Sequence, residues 1–118
     1  MESVSSPAFV GIWPTADGEW CVVGTLAWEC GRRGSNHWIA VPDGFVTDLA
    51  SIPRWLHWLV NPYDPATAPA AILHDWLLWD ETEQRVAAGE FYRRLIHDAF
   101  PRWKAKAFFL AVLLFSTD

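Results

Sequence analysis

The adjacent pair His74-Asp75 has the strongest chemical potential in this sequence, because it lies in an otherwise apolar stretch. At helical spacing, the neighbours of Asp75 within one turn are Ala71, Ile72, Leu78 and Trp79. An ionised carboxylate that is removed from water must be paired, bound to a metal or protonated. We therefore expect Asp75 to be a buried acid with a defined partner.

Partners for this pair are available in segment 47–54, which we predict to be a corner between a strand and a helix. The segment contains Asp48, Ser51 and Arg54. In the functional interpretation, Asp48, His74 and Asp75 form a small polar site with Ser51 or Arg54 at its edge. Such a set would hold a divalent metal ion, the only cofactor the sequence suggests, or carry out acid–base catalysis.

The same residues also have a structural interpretation, which we favour over the functional one. Asp48 and Ser51 would then cap a short helix, Asp75 would form a buried ion pair with Arg54 or Arg85, and His74 would bond a backbone carbonyl. A second pair, His97-Asp98, belongs to a charged stripe that also contains Glu90, Arg93 and Arg94. Glu90-Arg94 and Arg94-Asp98 are i,i+4 pairs typical of a solvated helix face, so a phosphohydrolase of the HD type is disfavoured.

The nine Trp residues are many for a chain of this length. Core packing is the favoured interpretation for any single Trp. Trp55, Trp58 and Trp79 lie near the ends of predicted helices beside the candidate site, where they would wall a groove for a sugar or peptide, or form a protein interface.

The elements that position these residues change from strands to helices along the chain. We predict strands over residues 9–13, 20–28, 37–41 and 45–47, the first two forming a hairpin. Helices are predicted over 54–60, 68–79, about 80–100 and 102–115, with Thr67 or Asp64 opening the second and Asp80 or Thr82 the third. The fold class is α+β, with a small antiparallel N-terminal sheet packed against three to four helices.

Length and charge exclude several classes of protein. A chain of 118 residues fits one domain, and residues 1–8 resemble a poorly ordered tail. The net charge of -5 disfavours nucleic acid as a partner, and the basic pairs at 32–33 and 93–94 are interpreted as solvated or paired with acids. No phosphate-binding loop, dinucleotide fingerprint or zinc-protease motif is present.

Export and membrane insertion are not expected either. The first residues lack the basic and apolar regions of a signal peptide, and the apolar run 107–115 is about half the ~20 residues needed to span a bilayer. Cys21 and Cys30 are then expected to be reduced thiols, and with His37 they do not have the spacing of a zinc site.

Two blocks of sequence resemble domain-of-unknown-function family 1353, small proteins encoded mainly by tailed bacteriophages and prophages. The blocks are GFVTDLASIPR at 44–54 and AAILHDWL at 70–77. With the surrounding strands and helices, the resemblance covers most of residues 9–115. It implies a phage origin and one α+β domain, and it supplies no established activity.

The resemblance also implies which positions are polar in the family. These are Asp48, Ser51, His74 and Asp75, with Arg85 on the following helix. Gly89-Glu90 stands where the family pattern usually has Ala-Asp, so Glu90 offers a longer carboxylate as the metal ligand at that position.

Two functions are therefore expected. The first is a phage-encoded accessory protein with a hydrolase-like site, in which a metal ion or His74 activates water for attack on an amide or phosphoester. The alternative is a non-catalytic virion, assembly, host-interaction or anti-defence protein with a Trp-rich surface. The residues expected to bind a ligand or partner are Arg54, Arg85, Trp55 and Trp79. The partner would be an unknown protein or a virion component. The protein would be located in the cytoplasm of the infected host or in the virion.

Overall fold

The computed structural model of the chain describes residues 8–49, 54, 57–58, 61 and 63–115. The chain forms two compact units, residues 1–48 and 49–118, which are described in turn. The strands lie in the first unit and the helices in the second, which confirms the α+β class. The single domain remains a prediction, and of its predicted tail only Ala8 is among the described residues.

Short antiparallel strands form two small sheets in the first unit, rather than the one sheet predicted. The strands are β1 (Gly11–Pro14), β2 (Trp20–Val23), β3 (Leu26–Glu29), β4 (Trp38–Val41) and β5 (Val46–Thr47). One sheet has the order β1-β2-β5, and the other is the pair β3-β4. The predicted first hairpin is confirmed, because β1 pairs with β2 with Trp13 opposite Cys21.

The strand predicted over residues 20–28 is divided at Gly24. This residue has a φ of +87°, and a Cβ added to it would overlap the carbonyl oxygen of Ala8. Its N–H donates a hydrogen bond of 2.8 Å to Oδ1 of Asp43, in the turn before β5. Two segments distant in sequence thus approach the backbone at this point, and only glycine accommodates them.

Three helices form the described part of the second unit: α1 (Ala68–Trp79), α2 (Gln84–His97) and α3 (Arg102–Phe115). The bounds of α1 and α3 are those predicted, and most of the predicted helix 54–60 lies outside the described residues. Helix α2 packs against both α1 and α3. Among the described residues, no helix combines the length and apolar character that crossing a membrane requires.

The start of α2 differs from the prediction because its expected caps serve α1 instead. Asp80 is the C-cap of α1, and the N–H groups of Glu81 and Thr82 donate to the carbonyls of Leu78 and Leu77. This pattern is a Schellman motif, which satisfies the last carbonyls of a helix. The N-cap of α2 is therefore Glu83, not Asp80 or Thr82.

Candidate functional site

His74 lies in the middle of α1, and only 1% of its surface is exposed. Its ring meets Phe91 of α2 edge to face, with 5.5 Å between the ring centroids. Burial lowers the pKa of His74 from 6.5 to about 4, because the charged imidazolium is poorly solvated there. The imidazole is therefore neutral at neutral pH.

The prediction that Asp75 is buried is confirmed, and most of α1 is buried with it. Asp75 is buried beside His74, and the same holds for Ala70, Ile72 and Leu73. Nε2 of His74 makes no hydrogen bond within the described part of the chain, although the residue has other interactions. The pair thus belongs to the interior of the helical unit.

Glu90 adds a second buried carboxylate to this unit, on α2. Only 8% of its side chain is exposed, and Oε1 accepts a hydrogen bond of 2.6 Å from Nη1 of Arg93. Sequence analysis placed Glu90 on a solvated stripe, and this is wrong because α2 is covered by helices on two sides. The predicted pair of Arg94 with Asp98 is present, at 2.9 Å.

The remaining predicted site residues are exposed or lie outside the described residues. Arg54 and Arg85 are exposed, and Ser51 and Trp55 lie outside the described residues. Asp48 is exposed at the end of the first unit, so its meeting with His74 and Asp75 stays a prediction. Among the described residues, no group of three or more His, Cys, Asp or Glu side chains is arranged to hold a metal ion.

Sequence reasoning gave no signal for the backbone of Leu49, which follows Asp48. Its φ is +58° and its side chain is buried. A branched residue in this left-handed region is strained, and such strain persists where the surrounding structure imposes it. The first of the two family blocks therefore contains an imposed backbone conformation.

Most of the described Trp side chains are not in a core, which corrects the favoured interpretation. Trp28 is buried. Those more than half exposed are Trp13, Trp38, Trp58, Trp79 and Trp103. Trp79 is stacked on Trp76 at the end of α1, with ring centroids 5.0 Å apart.

Comparisons with known proteins agree with the two sequence blocks. The model of a family described as "Protein of unknown function (DUF1353)" matches residues 25–112. A relative, the uncharacterized protein y4jT of Sinorhizobium fredii (strain NBRC 101917 / NGR234), is 34% identical over 82 residues, which are 66% of this chain and 24% of y4jT. The chain thus spans about a quarter of that relative.

No solved structure matches the chain significantly. The family match extends from the start of the second sheet to residue 112, within α3, and covers far more than half of the sequence. The chain belongs to the DUF1353 family of proteins of unknown function.

Proposed function

We propose that this chain is a phage- or prophage-encoded accessory protein that binds another protein and has no catalytic site of its own. The observation that carries the proposal is an apolar, solvent-facing sheet surface in the first unit. The phage origin is proposed from the family resemblance. The larger size of y4jT is consistent with a module that operates beside other segments.

The sheet surface is defined by residues on one face of β1, β2 and β5. Trp13 lies opposite Cys21, and Cys21 lies opposite Val46, so these side chains form a row across three strands. Trp13 is 55% exposed and Val46 is 45% exposed. The opposite face carries Val22 and Thr47, which are buried.

A one-sided antiparallel sheet usually carries polar residues on its solvent face. Here Val23 of β2 and Gly11 of β1 extend the apolar row, and the ring of Trp13 lies over Gly11. The sheet surface, defined as Gly11, Trp13, Cys21, Val23 and Val46, contains no charged side chain. Contiguous exposed apolar surface of this kind is characteristic of protein interfaces, where Trp is enriched.

The geometry of His74 favours this proposal over a hydrolase. A group that is 1% exposed does not contact a substrate in this conformation, and a pKa of about 4 makes it a weak base at neutral pH. The hydrolase-like site stays a prediction. Retained metal content or turnover that is lost in Asp75→Asn, with the fold intact, would support it.

The binding proposal is tested by photo-cross-linking. Position 13 is replaced by p-benzoylphenylalanine, which keeps an aromatic side chain on the sheet surface, and the chain is expressed in the bacterium that carries the gene. A matched variant carries the same group at position 106, which is exposed on α3. We expect one partner to be cross-linked from position 13 and not from position 106.

Binding of the purified partner to surface variants then distinguishes specific binding at the sheet surface from nonspecific hydrophobic binding. We expect Trp13→Ser/Val46→Ser to weaken binding at least about tenfold, since interface Trp residues are common hot spots. Trp103→Ser, which removes a Trp from α3 that is 66% exposed, should leave binding unchanged. Equal cross-linking from both positions, or equal loss with both variants, would contradict the proposal.

A further inference from the structure

The tip of the β3–β4 hairpin, residues 30–37, presents two unpaired cations. Arg32 and Arg33 are both exposed. Among the described residues, neither side chain takes part in an ion pair or a hydrogen bond. They are neighbours in the sequence and share one short loop. Both guanidinium groups are therefore available to an external anion.

The hairpin tip is held in one conformation by hydrogen bonds. Both carboxylate oxygens of Glu29 accept backbone N–H groups, from Gly34 at 2.9 Å and from Asn36 at 2.8 Å. The N–H of Cys30 donates to the carbonyl of His37 at 2.8 Å, and the hydroxyl of Ser35 donates to the carbonyl of Cys30. The backbone around the arginines is therefore ordered before any partner binds.

A loop that is already ordered loses little conformational entropy when a partner binds, and this favours association. Arginine also forms two parallel hydrogen bonds with a carboxylate, which makes such contacts geometrically specific. A fixed loop with two free guanidinium groups is thus suited to recognising closely spaced carboxylates.

An exposed aromatic side chain lies at the base of the hairpin tip. Trp38 is the first residue of β4, lies opposite Glu29 in the register and is 58% exposed. His37, the last residue of the hairpin tip, is also exposed. Trp and Arg are the residue types most enriched at interface hot spots.

We propose that the hairpin tip, together with Trp38, binds an acidic segment of a partner protein. Carboxylates of that segment pair with Arg32 and Arg33, and an apolar side chain between them packs on Trp38. The inference rests on the proposed function in that the occupant is a protein. A nucleic acid is disfavoured because its binding requires an extended basic stripe that contacts many phosphates, whereas this loop offers two adjacent arginines.

The probe for this proposal is a fluorescein-labelled peptide, Glu-Glu-Glu-Phe-Glu-Glu-Glu, whose binding to the full chain is followed by fluorescence anisotropy at low salt. Arg32→Gln/Arg33→Gln should weaken binding at least about tenfold, since it removes two charge-assisted, bidentate contacts with carboxylates. Arg102→Gln/Lys106→Gln removes the same charge from exposed sites on α3 and should change affinity less than twofold.

Three results would overturn the proposal. The first is no binding of the peptide, and the second is equal weakening by the two double variants, which would mean that only net charge matters. The third is tighter binding of a ten-nucleotide oligothymidylate than of the peptide. Circular dichroism of each variant shows that the fold is retained.

The variant Glu29→Gln distinguishes two explanations of peptide binding, an ordered loop and charge attraction alone. Glu29 is a positioning residue, and replacing it removes a negative charge near the arginines while weakening the hold on Gly34 and Asn36. Charge attraction alone predicts tighter peptide binding, whereas an ordered tip predicts binding about threefold weaker or more. Tighter binding in Glu29→Gln would refute the ordered tip.

The peptide assay does not depend on the sheet surface. If the peptide binds through Arg32 and Arg33 but no partner is cross-linked from position 13, the proposed function fails and the hairpin-tip site stands. If the partner is found through the sheet surface and the peptide does not bind, the proposed function stands and the hairpin-tip site fails.

Discussion

Lowering the pH from 7.5 to 5 is expected to destabilise the helical unit by about 2 kcal/mol through His74 alone. Burial holds the pKa of His74 at about 4 in the folded chain, against 6.5 for an ordinary imidazole. Between these two values the unfolded chain binds more protons than the folded chain. The stabilising contribution is therefore complete above pH 6.5 and is lost as the pH falls towards 4.

The size of the effect follows from the difference between the two pKa values. One pKa unit corresponds to about 1.4 kcal/mol, so the full loss below pH 4 is about 3 kcal/mol. At pH 5 the unfolded imidazole is almost fully protonated and the folded one is largely neutral, which gives the loss of about 2 kcal/mol. His74 is 1% exposed, so solvent screens little of this energy.

The assay is urea-induced unfolding followed by circular dichroism at fixed pH values from 7.5 to 4.5, on the wild type and on His74→Phe. Phe keeps an aromatic ring against Phe91 and cannot be protonated. Carboxylates contribute equally to both proteins, so the difference between the two curves isolates His74. His37→Gln, a change at an exposed histidine in the other unit, is the matched control and should follow the wild type.

Parallel curves for the wild type and His74→Phe over this range would refute the reasoning, because they would mean that protonation of His74 does not oppose folding. A direct titration of the His74 Cε1–H resonance by NMR provides an independent test. A midpoint near 6.5 in the folded protein would contradict the buried, neutral imidazole on which the prediction depends.

Two backbone predictions follow from residues with positive φ. Gly24→Ala should lower the free energy of unfolding in urea by about 3 kcal/mol, because the new Cβ is strained and overlaps Ala8. Gly18 has a similar φ but open space around it, so Gly18→Ala should cost about 1 kcal/mol. Equal costs would contradict the close approach of Ala8 to Gly24. Ala99→Gly should stabilise by about 0.5–1 kcal/mol, because Ala99 has a φ of +63° beyond the end of α2. Ala111→Gly inside α3 should instead cost about 1 kcal/mol, and a loss of stability in Ala99→Gly would be inconsistent with the helix end described.

Elements whose signals are local in the sequence were predictable. Helix α1 begins directly after Thr67, as predicted, although the Thr67 hydroxyl does not cap the helix and instead donates to the carbonyls of Asn61 and Asp64 in the preceding turn. Helix α3 follows Pro101 directly. The burial of His74 and Asp75 was predictable for the same reason, since an apolar helix must be covered on all sides.

Features that depend on distant segments were not predictable. The pattern of residues 20–28 fits one continuous strand, and only the approach of Ala8 and Asp43 divides it at Gly24. The charged spacing of α2 fits a solvated face, and only packing between two other helices buries Glu90. Sequence periodicity describes one element at a time, so it contains no information on how many neighbours that element has.

The same limit explains why the most conspicuous chemical residues are weak candidates for function. A polar pair in an apolar helix attracts attention because burial is costly, yet that same setting leaves only 1% of the surface of His74 exposed. Arg32 and Arg33 look unremarkable in sequence, since basic pairs in glycine-rich loops are usually solvated. The structure makes them better candidates for binding, because Glu29 of the adjacent strand holds the loop in place while both guanidinium groups are exposed. Function in this chain is therefore better sought at groups that are held in place and accessible than at groups that are chemically unusual and buried.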